Sequence, residues 1–248
     1  DVRTLLTDLE RQDVDGVVVD LRGNGGGSLT EATALTGLFI DEGPVVQVKD
    51  SFGKVDVELD PEPGVVYTGP LAVLVDRNSA SASEIFAGAM QDYGRGLIIG
   101  EPTFGKGTVQ TLIDLNRYVP GNDEDLGRLR LTMAEFFRVS GGSTQLRGVE
   151  PDILFPTAEY ISDHGERALD NALPWGEIKP ASYPKISVGQ LDKLRLLSNS
   201  RIRDDAGFSM LSAREKLLRE IDEETAVSLR EPDRRKESDR RDAVLKDQ

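Results

Sequence analysis

The residues of this 248-residue chain whose types and spacing could do chemistry lie between positions 76 and 110. An apolar run, Leu71 to Val75, enters a turn of small residues, Asn78-Ser79-Ala80-Ser81-Ala82. A helical pattern follows, with Ile85, Phe86, Ala89 and Met90 on its apolar side. A serine in such a turn sits beside the unpaired N–H groups of a helix start, which favour developing negative charge. Further on, Thr103-Phe104-Gly105-Lys106-Gly107 sets one lysine between two glycines, which allow close backbone approach and so a lysine held inside. Each residue also has an ordinary reading. Ser81 and Glu84 form a capping box, and a lone turn lysine is normally solvated.

Other chemistries have less to stand on. There is no cysteine, which removes disulfides, thiol catalysis and thiolate metal sites together. The single histidine, His164, lies beside a glycine in a polar connector, where a solvated loop histidine fits better than a general base. Metal catalysis lacks ligands, and no cofactor is expected. Gly100-x-x-x-x-Gly105-Lys106 opens like a phosphate loop, but Gly107 stands where a serine or threonine must hold magnesium, and a β pattern follows. The run after Leu21, Arg22-Gly23-Asn24-Gly25-Gly26-Gly27-Ser28, has Ser28 where a dinucleotide fingerprint needs its third glycine. Thirty Lys and Arg against 44 Asp and Glu give a net charge of −14, the wrong sign for a nucleic-acid partner.

The elements that must position these residues read as an α/β fold. Val2, Leu5, Leu6 and Leu9 predict an amphipathic helix packed on a sheet, stopped by Gly16. Val17 to Leu21 is a buried parallel-type strand, and the glycine loop after it leads to a helix capped by Ser28 and Glu31. Strand-like runs follow at 45–48, 55–59 and 65–67, and no catalytic role is assigned to them. Leu97 to Ile99, Thr108 to Leu115 and Leu129 to Arg138 complete the strands, with a turn at 122–125. Residues 168–175 predict a short helix ended by Pro174, its Trp175 anchoring the extension on the core. Charged helical patterns fill 188 to the end, with apolar stripes at Leu191, Leu194, Leu196 and Leu197, then Leu211, Leu217, Leu218 and Ile221. Residues 230–248 read as a solvated or fraying helix. No run reaches the roughly 20 apolar residues of a membrane span.

The stretch Ser79-Ala80-Ser81-Ala82-Ser83-Glu84, together with Thr103-Phe104-Gly105-Lys106-Gly107-Thr108-Val109-Gln110, resembles the active-site segments of the carboxyl-terminal processing (tail-specific) serine proteases. Asp20-Leu21-Arg22-x-Asn24-x-Gly26-Gly27 and Gly148-x-x-Pro151-Asp152 resemble two further signatures of that family, the second read as structural. The charged tail resembles its larger bacterial branch more loosely. The resemblance implies Ser81 as nucleophile, Lys106 as general base and Gln110 as the residue that holds the lysine. It implies an oxyanion hole from Ala82 N–H and from Gly26 or Gly27, with Glu84 and Asp92 as secondary candidates. A lysine base must spend part of its time as the neutral amine, which desolvation favours.

The implied fold is a ClpP/crotonase-like protease core with mixed sheet, over residues 1–158, followed by a helical C-terminal extension, 159–248. The implied partners are proteins with apolar C-terminal tails, in a periplasmic or cell-envelope setting; adaptor and oligomeric state are not legible. The family carries a targeting sequence, more protease strands and a peptide-binding PDZ module upstream, so the chain is expected to be the C-terminal part of a longer one. Two alternatives are a non-catalytic scaffold using the charged helices and crotonase-type acyl-thioester chemistry. For the second there is no adenine-binding segment and no acid/base carboxylate pair.

Overall fold

The computed structural model describes residues 1–119, 124–157, 164–186, 189–224 and 226–245. The chain divides into two compact units. The first comprises Asp1–Pro151 with His164–Val188, and the second Asp152–Asp163 with Gly189–Gln248. The boundary expected at 158/159 and the start of the turn expected at 122–125 lie outside the described residues.

At the centre of the first unit are three parallel strands, β1 (Val17–Asp20), β4 (Leu71–Val75) and β5 (Leu97–Gly100), with β4 in the middle. On β4, Leu71, Val73 and Val75 share one buried face and Ala72 and Leu74 are half-buried; β1, expected to be buried on both faces, has Val17 buried and Val18 exposed, so only one of its faces is covered. Helix α1 (Val2–Arg11) buries Leu6 and packs Leu9 against the core. Helix α2 (Leu29–Gly37) starts at Ser28, whose Oγ accepts from Glu31 N at 3.4 Å. Helix α3 (Ala82–Tyr93) is buried along nearly its whole length and ends at Gly94, in the left-handed region at φ 67°.

A second, antiparallel sheet runs in the order β3-β2-β7-β6, where β2 is Pro44–Asp50, β3 Val55–Leu59, β6 Thr108–Asp114 and β7 Arg128–Phe137. Phe39, Val45, Val46, Val73, Phe86, Met90, Ile98 and Phe136 form the shared core, with Phe39 edge-on to Phe86 at 5.7 Å. The fold is thus the expected α/β arrangement with parallel and antiparallel strands.

Two expected elements do not form. Val65-Val66-Tyr67 is no strand, because the N–H groups of Val66 and Tyr67 both donate to Leu38 O and have no ladder partner; Tyr67 is buried beside Phe39. In place of a helix at 168–175 there is a single 3-10 turn, Glu166–Ala168. The carbonyl of Leu173 there accepts from Gln145 Nε2, and Trp175 donates Nε1–H to Ser143 O at 2.8 Å with the Arg147 guanidinium over its ring.

The second unit contains the short strand β8 (Ile153–Leu154), α4 (Leu191–Asp204), α5 (Ala206–Asp222) and α6 (Glu231–Leu245). Leu217 is its deeply buried leucine, whereas Leu196 and Leu197 of the expected stripe are exposed. Arg235 pairs with Glu231 and Arg234 with Glu237 along α6, and Arg240 reaches Glu220 of α5. Among the described residues no helix is long and apolar enough to cross a membrane.

The far end of α3 is tied down by a buried ion pair. Asp92 accepts from Arg138 Nε at 3.0 Å and Nη2 at 2.6 Å, and from Ser140 Oγ at 3.0 Å. Removing one partner of such a pair strands the other charge. Arg138→Leu is therefore expected to lower unfolding free energy by about 3 kcal/mol in urea titrations, and Asp92→Leu combined with it to recover part of the loss.

Candidate active site

Every loop of interest leaves the carboxyl end of a parallel strand, where open α/β sheets form their crevices. The glycine loop follows β1, the serine turn follows β4 and the lysine turn follows β5.

The serine turn offers three hydroxyls, and two donate to backbone carbonyls at the end of β1 and in the glycine loop. Ser79 is fully buried and donates Oγ–H to Leu21 O at 2.8 Å; Ser83 is buried and donates to Asn24 O at 3.0 Å. Ser81, half-buried, lines a cleft of about 250 Å3 together with Gly27, Ala82, Lys106, Gln110 and the apolar walls Leu29, Ile85, Val109 and Phe136. Its backbone lies at φ 56°, ψ −113°, outside the regions an L-residue normally occupies and costing on the order of 1–3 kcal/mol. Asp76 supports the turn by accepting at Oδ1 from Gly23 N, Asn78 N and Ser79 N.

Glu84, with no solvent exposure, joins the serine turn to the lysine turn. Its Oε2 accepts from Ser81 N at 2.7 Å and Lys106 N at 3.0 Å. Its Oε1 accepts from Thr103 Oγ1 at 2.6 Å and Gly105 N at 2.7 Å. Burial pushes the carboxyl up to about 7, while the four donated hydrogen bonds pull it the other way. The role of this capping-box glutamate therefore extends well beyond its own helix.

On its other side the lysine turn is held by Gln145, which is fully buried. Gln145 Oε1 accepts from Gly107 N at 2.8 Å, and its Nε2 donates to Glu166 Oε1 and Leu173 O. Thr144 Oγ1 donates to Lys106 O. A Cβ on Gly107 would stand 2.6 Å from Ser143 Oγ and 2.7 Å from Gln145 N, which is why glycine is needed there. Lys106 itself is half-buried, and its Nζ makes no ion pair or hydrogen bond among the described residues. Gln110 is exposed and shares the cleft with Lys106, without a hydrogen bond between them.

The glycine loop packs directly on the serine turn. At Gly26 (φ 97°) a Cβ would lie 2.5 Å from Ala80 O and 2.9 Å from Ala82 N. Gly26 N donates to Asn24 Oδ1 at 3.0 Å, and Asn24 O accepts from Ala80 N. The N–H groups of Gly27 and Ala82 have no such partner among the described residues.

Two expectations change. Asp92 is not in the cleft but eleven residues along, about 16 Å of helix rise from Ser81, held by Arg138. His164 is not a solvated loop residue: it is half-buried, with Nε2 on Arg77 O at 3.1 Å and its ring edge-on to Phe104. The signature Gly148-Val149-x-Pro151-Asp152 is structural at Val149, whose N–H donates to Thr103 Oγ1. Asn24, Asp76, Thr103 and Gln145 were not singled out beforehand. Only Asn24 and Thr103, inside the glycine-loop and lysine-turn motifs, had a local signal.

Since the native carboxyl of Glu84 binds its proton more tightly than the unfolded one, its contribution to stability falls as pH rises from about 4.5 to about 7 and then stays level. The urea midpoint of the natural protein is expected to carry this slope, and Glu84→Gln to lose it. Glu84→Ala, which orphans four donors, is expected to cost at least about 3 kcal/mol in the same titration.

Residues 1–155 match the family model described as Peptidase family S41, and residues 160–248 match one described as the C-terminal domain of tail specific protease. The chain is 46% identical over 248 residues to the tail-specific protease of Haemophilus influenzae, covering 98% of this chain and 36% of that protein. It is 39% identical over 147 residues to the chloroplastic C-terminal processing peptidase of Tetradesmus obliquus, covering 59% of this chain and 30% of that one. The chain thus spans about a third of the length of these curated relatives. Among solved structures, the photosystem II D1 C-terminal processing protease superposes with a TM-score of 0.55 at 37% identity, over 62% of this chain and 38% of that one. With the family model covering the parallel sheet, both turns and the cleft between them, the chain belongs to peptidase family S41.

Proposed function

We propose that this chain carries the catalytic centre of a serine endopeptidase of the C-terminal processing kind, working through Ser81 and Lys106. The observation that carries the reading is that, of three serines in the turn, the strained Ser81 alone shares a cleft with Lys106, which is unpaired among the described residues, while Glu84 Oε2 holds the N–H groups of both.

In this mechanism the neutral Lys106 amine takes the Ser81 proton as Oγ attacks the peptide carbonyl. Ala82 N–H and Gly27 N–H receive the developing oxyanion; Gly27 is preferred over Gly26 because Gly26 N–H is already engaged by Asn24. Collapse of the tetrahedral intermediate expels the amine, which takes the proton from Lys106. The lysine then accepts a proton from water as it attacks the acyl-enzyme, and Ser81 is restored. Gln110 serves as the polar neighbour that orients the lysine. The apolar walls Leu29, Ile85, Val109 and Phe136 suit an uncharged side chain next to the scissile bond.

One relative's name refers to tail specificity and another's to C-terminal processing, and substrates here are taken to be proteins with apolar C-terminal tails. The net charge of −14 disfavours strongly acidic substrates. The setting is the periplasm or cell envelope.

The test is degradation of an unfolded protein with an alanine-rich apolar C-terminus by the whole natural protein, between pH 6 and 10. Ser81→Ala and Lys106→Ala are each expected to reduce kcat by at least about 10^4-fold. The rate of the natural protein should rise with pH through one ionisation. Persistent cleavage by Lys106→Ala would remove the lysine as base and make His164 the next residue to replace; full activity in Ser81→Ala would leave a scaffold role.

A further inference from the structure

Lys106 stands between Gly105 and Gly107, and its Nζ makes no ion pair or hydrogen bond among the described residues. Two flanking glycines give the turn little stiffness of its own, and Gly105 is in the left-handed region at φ 91°. The direction of the amine is therefore set by whatever fixes the backbone on either side of it. Glu84 holds the middle of the turn, at Gly105 N and Lys106 N. The two ends, Phe104 O and Gly107 N, are held from a distant part of the chain.

That part is the segment 164–186, which folds with the first compact unit although it lies within the residues matched to the C-terminal domain of tail specific protease. It runs along the loop 139–145: Ser143 N donates to Gly176 O, Ile178 N to Gly141 O and Ala181 N to Val139 O. Its leading residues reach the serine and lysine turns. His164 Nε2 lies 3.1 Å from Arg77 O, at the entry to the serine turn, and its ring is edge-on to Phe104. A Cβ on Gly165 (φ 85°) would stand 2.5 Å from Phe104 O, so a side chain there would push the segment away. Glu166 then donates its N–H to Phe104 O at 3.0 Å, while its Oε1 accepts from Gln145 Nε2 at 3.2 Å. Gln145 Oε1 in turn accepts from Gly107 N at 2.8 Å. One residue thus fixes the turn before Lys106 with its backbone and after Lys106 through its side chain. Glu166 is 8% exposed and pairs with no cation among the described residues. A buried carboxyl without a counter-charge costs stability, so packing alone does not account for it.

We propose that Glu166 is a positioning residue for Lys106: by bracketing the turn on both sides of the base it aims the amine at Ser81. The inference rests on the endopeptidase reading, and it places one support of the base outside residues 1–155, which match Peptidase family S41.

The test is made on the whole natural protein. Glu166→Ala keeps the N–H to Phe104 O but removes the acceptor for Gln145, freeing the far side of the turn. Since a reacting group displaced by about 1 Å can cost on the order of 100-fold, kcat for an unfolded polypeptide is expected to fall roughly 10- to 100-fold at unchanged KM. Labelling of Ser81 by a small fluorophosphonate, which needs the same base, should slow by a similar factor. Glu166→Gln keeps an acceptor at the same reach and is expected to bring both rates back to within about threefold of the natural protein. Undiminished kcat in the folded fraction of Glu166→Ala, with only a lower melting temperature, would overturn the proposal and leave Glu166 a purely structural residue. A higher KM at unchanged kcat would overturn it too, as would a Glu166→Gln as slow as Glu166→Ala. Should Glu166→Ala not fold, Glu166→Asp, one methylene shorter, is judged by the same fall in kcat at unchanged KM. Absence of labelling in the natural protein would instead overturn the endopeptidase reading, and this inference with it.

Discussion

The buried carboxylate of Glu84 is the constraint on which the site depends. A fully buried acid group is costly unless its lone pairs are satisfied, and here four donors from two separate turns satisfy them. The serine turn and the lysine turn converge because both must supply N–H groups to one side chain. Since Oε2 accepts from Ser81 N and Lys106 N together, the two residues are fixed to a common atom rather than to each other. The Lys106 amine itself is left without an ion pair or hydrogen bond among the described residues.

Around that carboxylate the turns are fastened from outside. Asp76 and Asn24 clasp the serine turn and the glycine loop, and Gln145 with Thr144 clasps the lysine turn. This surplus of fastening offsets the unfavourable backbone of Ser81, since an isolated turn would relax it. The rigid support is the buried helix α3 and the central strand β4, both packed on Phe39, Phe86 and Val73.

Much of this was legible because it is local. The apolar run 71–75, the small-residue turn and the capped helix announce strand, turn and helix without reference to anything distant. Where the outcome depends on a distant partner, local pattern misleads. Val65-Val66-Tyr67 has strand composition but lends its N–H groups to Leu38, and the helical spacing at 168–175 gives way to the demands of Gln145 and Ser143 on Leu173 and Trp175. His164 sits in a polar sequence yet packs on Phe104 and Arg77, both about sixty or more residues away. Glu84 was legible as a cap and illegible as a hub, because three of its four donors lie beyond residue 100 or in another turn's backbone.

The order of the strands along the chain bears on when the centre comes into being. The parallel sheet is built from residues 17–20, 71–75 and 97–100, and the last fastening of the lysine turn comes from Gln145. A polypeptide emerging from the ribosome thus exposes the serine turn about twenty residues ahead of those that complete Glu84's shell, and about sixty ahead of Gln145. Until then one buried acid lacks its donors and Ser81 has nothing to hold its unusual backbone. Chain order makes the centre a late product of folding, assembled by contacts of long sequence separation that form slowly. Synthesis of the serine turn and assembly of the cleft around it are separated in time by chain order alone.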